Sequence, residues 1–212
     1  MKVSAPEHAR AIKRGRRLEH FTIVWNSLEA LVALVSGFLA GSVALVGFGF
    51  DSLIEVTSGG ALLWRLHYGE HDRRRELAEQ MALRIVGCCF VVLAVYIAYE
   101  STRTLVLREV PERSIPGILV AAVSLIVMPI LARAKRSVAH RIESAAMNAD
   151  ARQTEFCTYL SAILLGGLLL NAFFGIWWAD PLAGLVMVPV IGKEGWDALH
   201  GKNCCGGSGC DA

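Results

Sequence analysis

The residues with most chemical potential are three acids set in otherwise apolar sequence: Glu29, Asp51 and Glu55. An ionised carboxylate within a hydrocarbon layer is costly and marks an ion path, a proton relay or a paired structural group. Asp51 and Glu55 stand four residues apart, so on a helix they stack on one face. Counted from Gly41 at the helical rise, Glu29, Asp51 and Glu55 lie at depths of roughly 18, 15 and 21 Å, so all three can meet at one level. The first apolar run holds no Lys or Arg, and the second holds none before Arg65. With no basic residue at matching depth, two acids on one face must be neutralised by protons or by a cation. A divalent cation exchanged against protons is the economical answer. For Glu29 alone, a protonated, hydrogen-bonded structural acid is an equally good reading.

Asp150, Gln153, Thr154, Cys157 and Ser161 form a second polar line, at helical spacings that put them on one stripe. Taken singly, each has a plain role: Cys is a small membrane residue, and Gln bridges helices. Glu155 points away from the stripe, towards an interface or a basic residue on the cytoplasmic side.

These residues need a membrane-embedded scaffold to position them. The chain has 212 residues, 54% of them hydrophobic and only 19% charged, and a mean hydropathy of +0.47. That excludes a disordered chain and argues against an ordinary soluble globule. A net charge of +2 implies no field directed at nucleic acid, and six cysteines are too few for a disulfide-stapled secreted module. The apolar run after the basic start is too long for a cleavable signal and lacks a small-residue cleavage site.

The expected fold is an all-α polytopic membrane protein with six transmembrane helices. A bilayer core of about 30 Å takes roughly 20 apolar residues per helix. Phe21–Gly41, Ser42–Trp64, the stretch around Met81–Tyr99, Ile115–Ala132 and Phe156–Trp178 meet that length, and Asp180–Trp196, with Pro189 inside it, is a weaker sixth. Residues 1–20 form a basic cytoplasmic segment, 21–196 the transmembrane domain, and 197–212 a short Cys/Gly-rich tail. Of the 21 Lys and Arg, 16 fall on the side of the termini, including Arg65, Arg73, Arg74 and Arg75 in one inner connection and Arg133, Lys135, Arg136 and Arg141 in the other. Both termini therefore face the cytoplasm, and the inner connections read as short solvated links. Ala40–Ser42 and Gly175–Asp180 leave so little loop that they must close two antiparallel hairpins, with Phe173, Phe174, Trp177 and Trp178 at the outer interface.

The run GSVALVGFGFDSLIEV (Gly41–Val56) resembles the second helix of the cation diffusion facilitator, or cation efflux, transporters. Asp51 matches the first acidic position of that pattern, and Glu55 matches the second, in place of the usual Asp. Asn26 matches an Asn of the first helix. NADARQTEFCTYLSAILLGGLLL (Asn148–Leu170), WWADPLAGLV (Trp177–Val186) and IAYESTRTL (Ile97–Leu105) are similar to the fifth helix, the sixth and the end of the third.

The resemblance implies a metal site of Asp51, Glu55 and Cys157, with Glu29 as a further carboxylate and Gln153 behind it. The family's fifth helix normally offers His and Asp four apart to a tetrahedral zinc ion. Gln153 and Cys157 occupy those places, and a thiolate is a good soft ligand whereas a neutral amide is a poor one. The chain also looks like a short form without the cytoplasmic domain found in many relatives. Cys204, Cys205 and Cys210 of the tail are candidates to collect a soft metal. Cys88 and Cys89 are expected to pack inside the third helix, and all six histidines lie outside the spans.

The resulting expectation is a divalent-metal transporter, zinc before others, exchanging metal for protons and exporting it across the cell (inner) membrane. It would work as a homodimer, with metal ion, protons and lipid as its partners and no nucleic acid. No nucleophile–base pair, phosphate loop or redox motif is present, so neither an enzyme nor a bound cofactor is expected. The rival readings are a non-transporting metal-binding or regulatory membrane protein and a conductor of protons or monovalent cations.

Overall fold

A computed structural model describes residues 5–68 and 73–200. They form six α-helices: α1 (Ala5–Ala40), α2 (Val43–Tyr68), α3 (Arg73–Leu107), α4 (Ile115–Ile142), α5 (Ala145–Phe174) and α6 (Ala179–Leu199). No strand occurs among the described residues. Four helices are long and apolar enough to cross a membrane, within α1, α3, α4 and α5. The other two, α2 and α6, carry polar groups into the bundle, and α2 packs on α1, α3, α5 and α6. The outer surface is apolar on several helices, with Leu39, Phe173, Val106, Val92 and Ile126 all exposed. Such a girdle suits lipid, where backbone groups must be satisfied within each helix. The protein is an all-helical, multi-pass membrane protein.

The two hairpins close on single glycines. Gly41 takes a left-handed backbone (φ 64°), and the N–H of Ser42 donates back to Gly37 O at 3.0 Å. Ser42 then begins α2, its Oγ accepting from Leu45 N at 3.1 Å. Gly175 (φ 64°) ends α5 in the same way, donating to Asn171 O at 3.1 Å. Pairs of small residues let α3 and α6 approach: a Cβ on Gly195 would stand 3.0 Å from Gly87 O, and one on Gly184 would collide with Ser101 Oγ.

The helices run well past the apolar segments. The basic cluster Arg133, Lys135, Arg136 and Arg141, read from sequence as a solvated link, is helical and belongs to α4. The backbones of Arg65 and Arg73–Arg75 likewise lie in α2 and α3. His71, Cys204, Cys205 and Cys210 lie outside the described residues. Apolar packing is split in two. A large cluster around Leu45, Phe48, Ile97, Leu164 and Met187 fills much of the interior on the side of the Gly41 hairpin. A small one of Leu62, Val138, Ala139 and Met147 lies towards the other end. Between them the interior is polar.

Candidate metal site

Asp51 and Glu55 project from one face of α2 and are buried at 3% and 0% exposure. Facing them on α5 is Cys157, also buried. Its Sγ lies 2.8 Å from Glu55 Oε2 and 3.2 Å from Asp51 Oδ2, so the thiol has one proton and a carboxylate on either side. The helical spacing that stacks Asp51 over Glu55 meets a matching register on α5. The other four members of the α5 stripe, Asp150, Gln153, Thr154 and Ser161, are buried with it.

Thr154 Oγ1 donates to the second oxygen of Glu55, Oε1, at 2.8 Å. Glu55 is therefore engaged at both oxygens by α5. Gln153 Oε1 accepts from Ser58 Oγ at 2.9 Å, on the turn of α2 after Glu55, while its Nε2 is buried without a partner. In this arrangement Gln153 is turned to Ser58.

Glu29 does reach the level of the acid pair, since it touches Ser52, the neighbour of Asp51 in sequence. Ser52 Oγ donates to Glu29 Oε1 at 2.6 Å, Trp25 Nε1 donates to Oε2 at 2.9 Å, and Ser124 of α4 also donates to Oε2. Three donors from α1, α2 and α4 occupy this carboxylate, so here it ties three helices together. Asn26, one turn earlier on α1, is fully buried, and neither its Oδ1 nor its Nδ2 has a partner.

One feature departs from the sequence reading outright. Lys135 is fully buried, not solvated. Its ammonium lies 2.5 Å from Asp150 Oδ2, 3.4 Å from Glu19 Oε2 and 3.2 Å from Thr154 Oγ1. A cation thus stands one hydroxyl away from Glu55, where none was expected. Glu19 was missed as well. The signals were present: buried α4 residues Ser124, Met128, Leu131, Lys135 and Val138 follow a helical period through the lysine. Glu19, Thr22, Asn26 and Glu29 do the same on α1, and all four are buried. Glu155 pairs with Arg136, as its direction suggested. Cys88 and Cys89 lie on α3 but are exposed, against the expectation that they pack inward. They face an apolar groove of about 590 Å³ with Phe50 and Tyr96.

Asp51, Glu55 and Cys157 supply two hard oxygens and one soft sulfur, a donor set suited to a borderline divalent cation. They are joined by hydrogen bonds in this conformation, and no group of three or more His, Cys, Asp or Glu among the described residues is disposed as a finished metal shell. For these three to hold a cation, the thiol proton would have to leave and the side chains turn towards a common point.

A family model of the cation efflux transmembrane domain matches residues 20–200. Among curated proteins, an uncharacterized transporter of Methanocaldococcus jannaschii is 25% identical over 182 residues, covering 83% of this chain and 64% of that protein. The chain therefore spans less than two thirds of that relative's length.

Proposed function

This chain belongs to the cation efflux family, and on that premise we propose that it carries a divalent transition metal, zinc before others, out of the cytoplasm in exchange for protons. The observation that carries the reading is the thiol of Cys157 lying between Asp51 and Glu55 in the buried centre of the bundle. Metal ligands must give up their protons to bind. A site whose metal-free form shares protons among two carboxylates and a thiol therefore releases them as the ion enters and regains them as it leaves. That is the chemistry of an antiporter. Asp51, Glu55 and Cys157 hold the ion in this proposal, with Glu29 and Gln153 flanking it. Both termini face the cytoplasm, the membrane is the cell (inner) membrane, and the working unit is a homodimer.

A second reading is a membrane protein that binds metal without moving it. It is motivated by Gln153 and Cys157, which stand where the family's fifth helix usually offers His and Asp. Proteoliposomes containing the full chain separate the readings. Uptake of zinc and cadmium that responds to a pH gradient supports antiport. Saturable binding without flux supports the binder, and cation flux indifferent to zinc, cadmium and cobalt supports a proton or monovalent-cation conductor.

A further inference from the structure

The Lys135 side chain is fully buried. An ammonium has three N–H donors, and three oxygens surround this one: Asp150 Oδ2, Thr154 Oγ1 and Glu19 Oε2 at 2.5, 3.2 and 3.4 Å. The Thr154 hydroxyl has a single proton to give. With one of its lone pairs engaged by Lys135, the proton is directed to Glu55 Oε1 at 2.8 Å in preference to the Asp150 carbonyl at 3.1 Å, the carboxylate being both nearer and the stronger acceptor. Glu55 is then oriented with Oε2 towards Cys157. The backbone of α2 leaves room for the anchor: a Cβ on Gly59, one turn beyond Glu55, would stand 3.3 Å from Glu19 Oε2.

We propose that Lys135 and Thr154 are positioning residues for the transported metal. The ammonium, anchored on Asp150 and Glu19, turns the Thr154 hydroxyl onto one oxygen of Glu55 and so presents the other oxygen to the ion beside Asp51 and Cys157. Neither residue touches the ion. The inference rests on Asp51, Glu55 and Cys157 being the transport site. It adds a requirement which that site alone does not impose, namely that metal affinity depends on a lysine from α4 acting through a hydroxyl of α5.

Cadmium uptake by the full chain in liposomes tests it, with wild type, Thr154→Val and Thr154→Ser. A third variant combines Lys135→Met with Glu19→Gln and Asp150→Asn, so that the whole buried ion cluster is removed together. Loss of the hydroxyl in Thr154→Val is expected to raise KM about tenfold with Vmax nearly unchanged, and Thr154→Ser to stay within about twofold of wild type. The triple variant should also raise KM. Adding Thr154→Val to it should add almost nothing, because the group that orients the hydroxyl is already gone. An unchanged KM in Thr154→Val, or full additivity of the two changes, overturns the relay. Should the triple variant fail to fold, Lys135→Met with Asp150→Asn takes its place, and an unchanged KM there overturns the role of the lysine. Asp51→Asn run in parallel keeps the two readings apart. A dead Asp51→Asn beside a normal Thr154→Val removes the relay alone, whereas normal uptake in Asp51→Asn removes the transport site itself.

Discussion

Ser42 and Asp180 meet across 138 residues of chain, with Ser42 Oγ donating to Asp180 Oδ1 at 2.5 Å. The other carboxylate oxygen accepts from the backbone N–H of Val43 at 3.0 Å. An acid in the first turn of α6 thereby caps the amino terminus of α2, where a negative charge faces unpaired N–H groups and the positive end of the helix dipole. The contact joins the α1–α2 hairpin to the α5–α6 hairpin. It lies at the end of the bundle away from Lys135, and Glu112 N, donating to Ala40 O at 2.8 Å, fixes the α3–α4 connection to the same end.

Asp180→Ala removes both acceptors at once and leaves the buried Ser42 hydroxyl proton and the Val43 N–H without an acceptor. The expected loss is about 1–3 kcal/mol of stability, read as a lower unfolding midpoint in detergent. Ser42→Ala should also lower the midpoint, because it removes the donor to Asp180 Oδ1 and the acceptor of Leu45 N while Val43 keeps its partner. Equal midpoints for wild type and Asp180→Ala would mean that the cap contributes nothing.

Asp51→Asn and Glu55→Gln are each expected to abolish metal uptake while the protein stays folded and inserted. Each substitution is nearly isosteric, removes the ability to carry negative charge and turns one acceptor oxygen into an NH2 donor, which the hydroxyl and thiol neighbours can meet by reversing a contact. Size-exclusion profiles establish folding, and flux in liposomes then reads function. Normal flux in either variant would place the site elsewhere.

Glu29→Gln sets an amide NH2 against hydroxyl and indole donors. At least one of the three contacts to Trp25, Ser52 and Ser124 must be lost or reversed. The expected result is destabilisation of about 1–3 kcal/mol with little change in KM per folded molecule. A rise in KM without a stability change would instead put Glu29 in contact with the ion.

Cys157 decides selectivity if its sulfur meets the metal. Cadmium should then compete well with zinc, and manganese poorly. Cys157→Asp should shift preference towards harder ions and keep transport, while Cys157→Ala should lose the soft metals most. Zinc, cadmium and manganese flux in the two variants is the measurement. An unchanged profile in Cys157→Ala would leave the two acids to hold the ion.

Much of this protein was legible without coordinates because its determinants are local. Apolar length and helical period follow from residues close in the chain, so the six helices, the closures at Gly41 and Gly175, the stacking of Asp51 over Glu55 and the inward stripe through Cys157 could be read directly. Lys135 shows where that reading stops. Counting basic residues ends a span at the first charge, and Arg133 therefore appeared to begin a solvated link. The helix in fact continues through it, and its inward face carries the lysine to Asp150 and Glu19. The partners of Glu29, the cap at Asp180 and the outward turn of Cys88 and Cys89 were likewise settled only by packing. A polar side chain buried in a bundle takes whichever donor or acceptor the neighbouring helix offers. That neighbour is determined by how six helices fit together, a property that no single stretch of sequence contains.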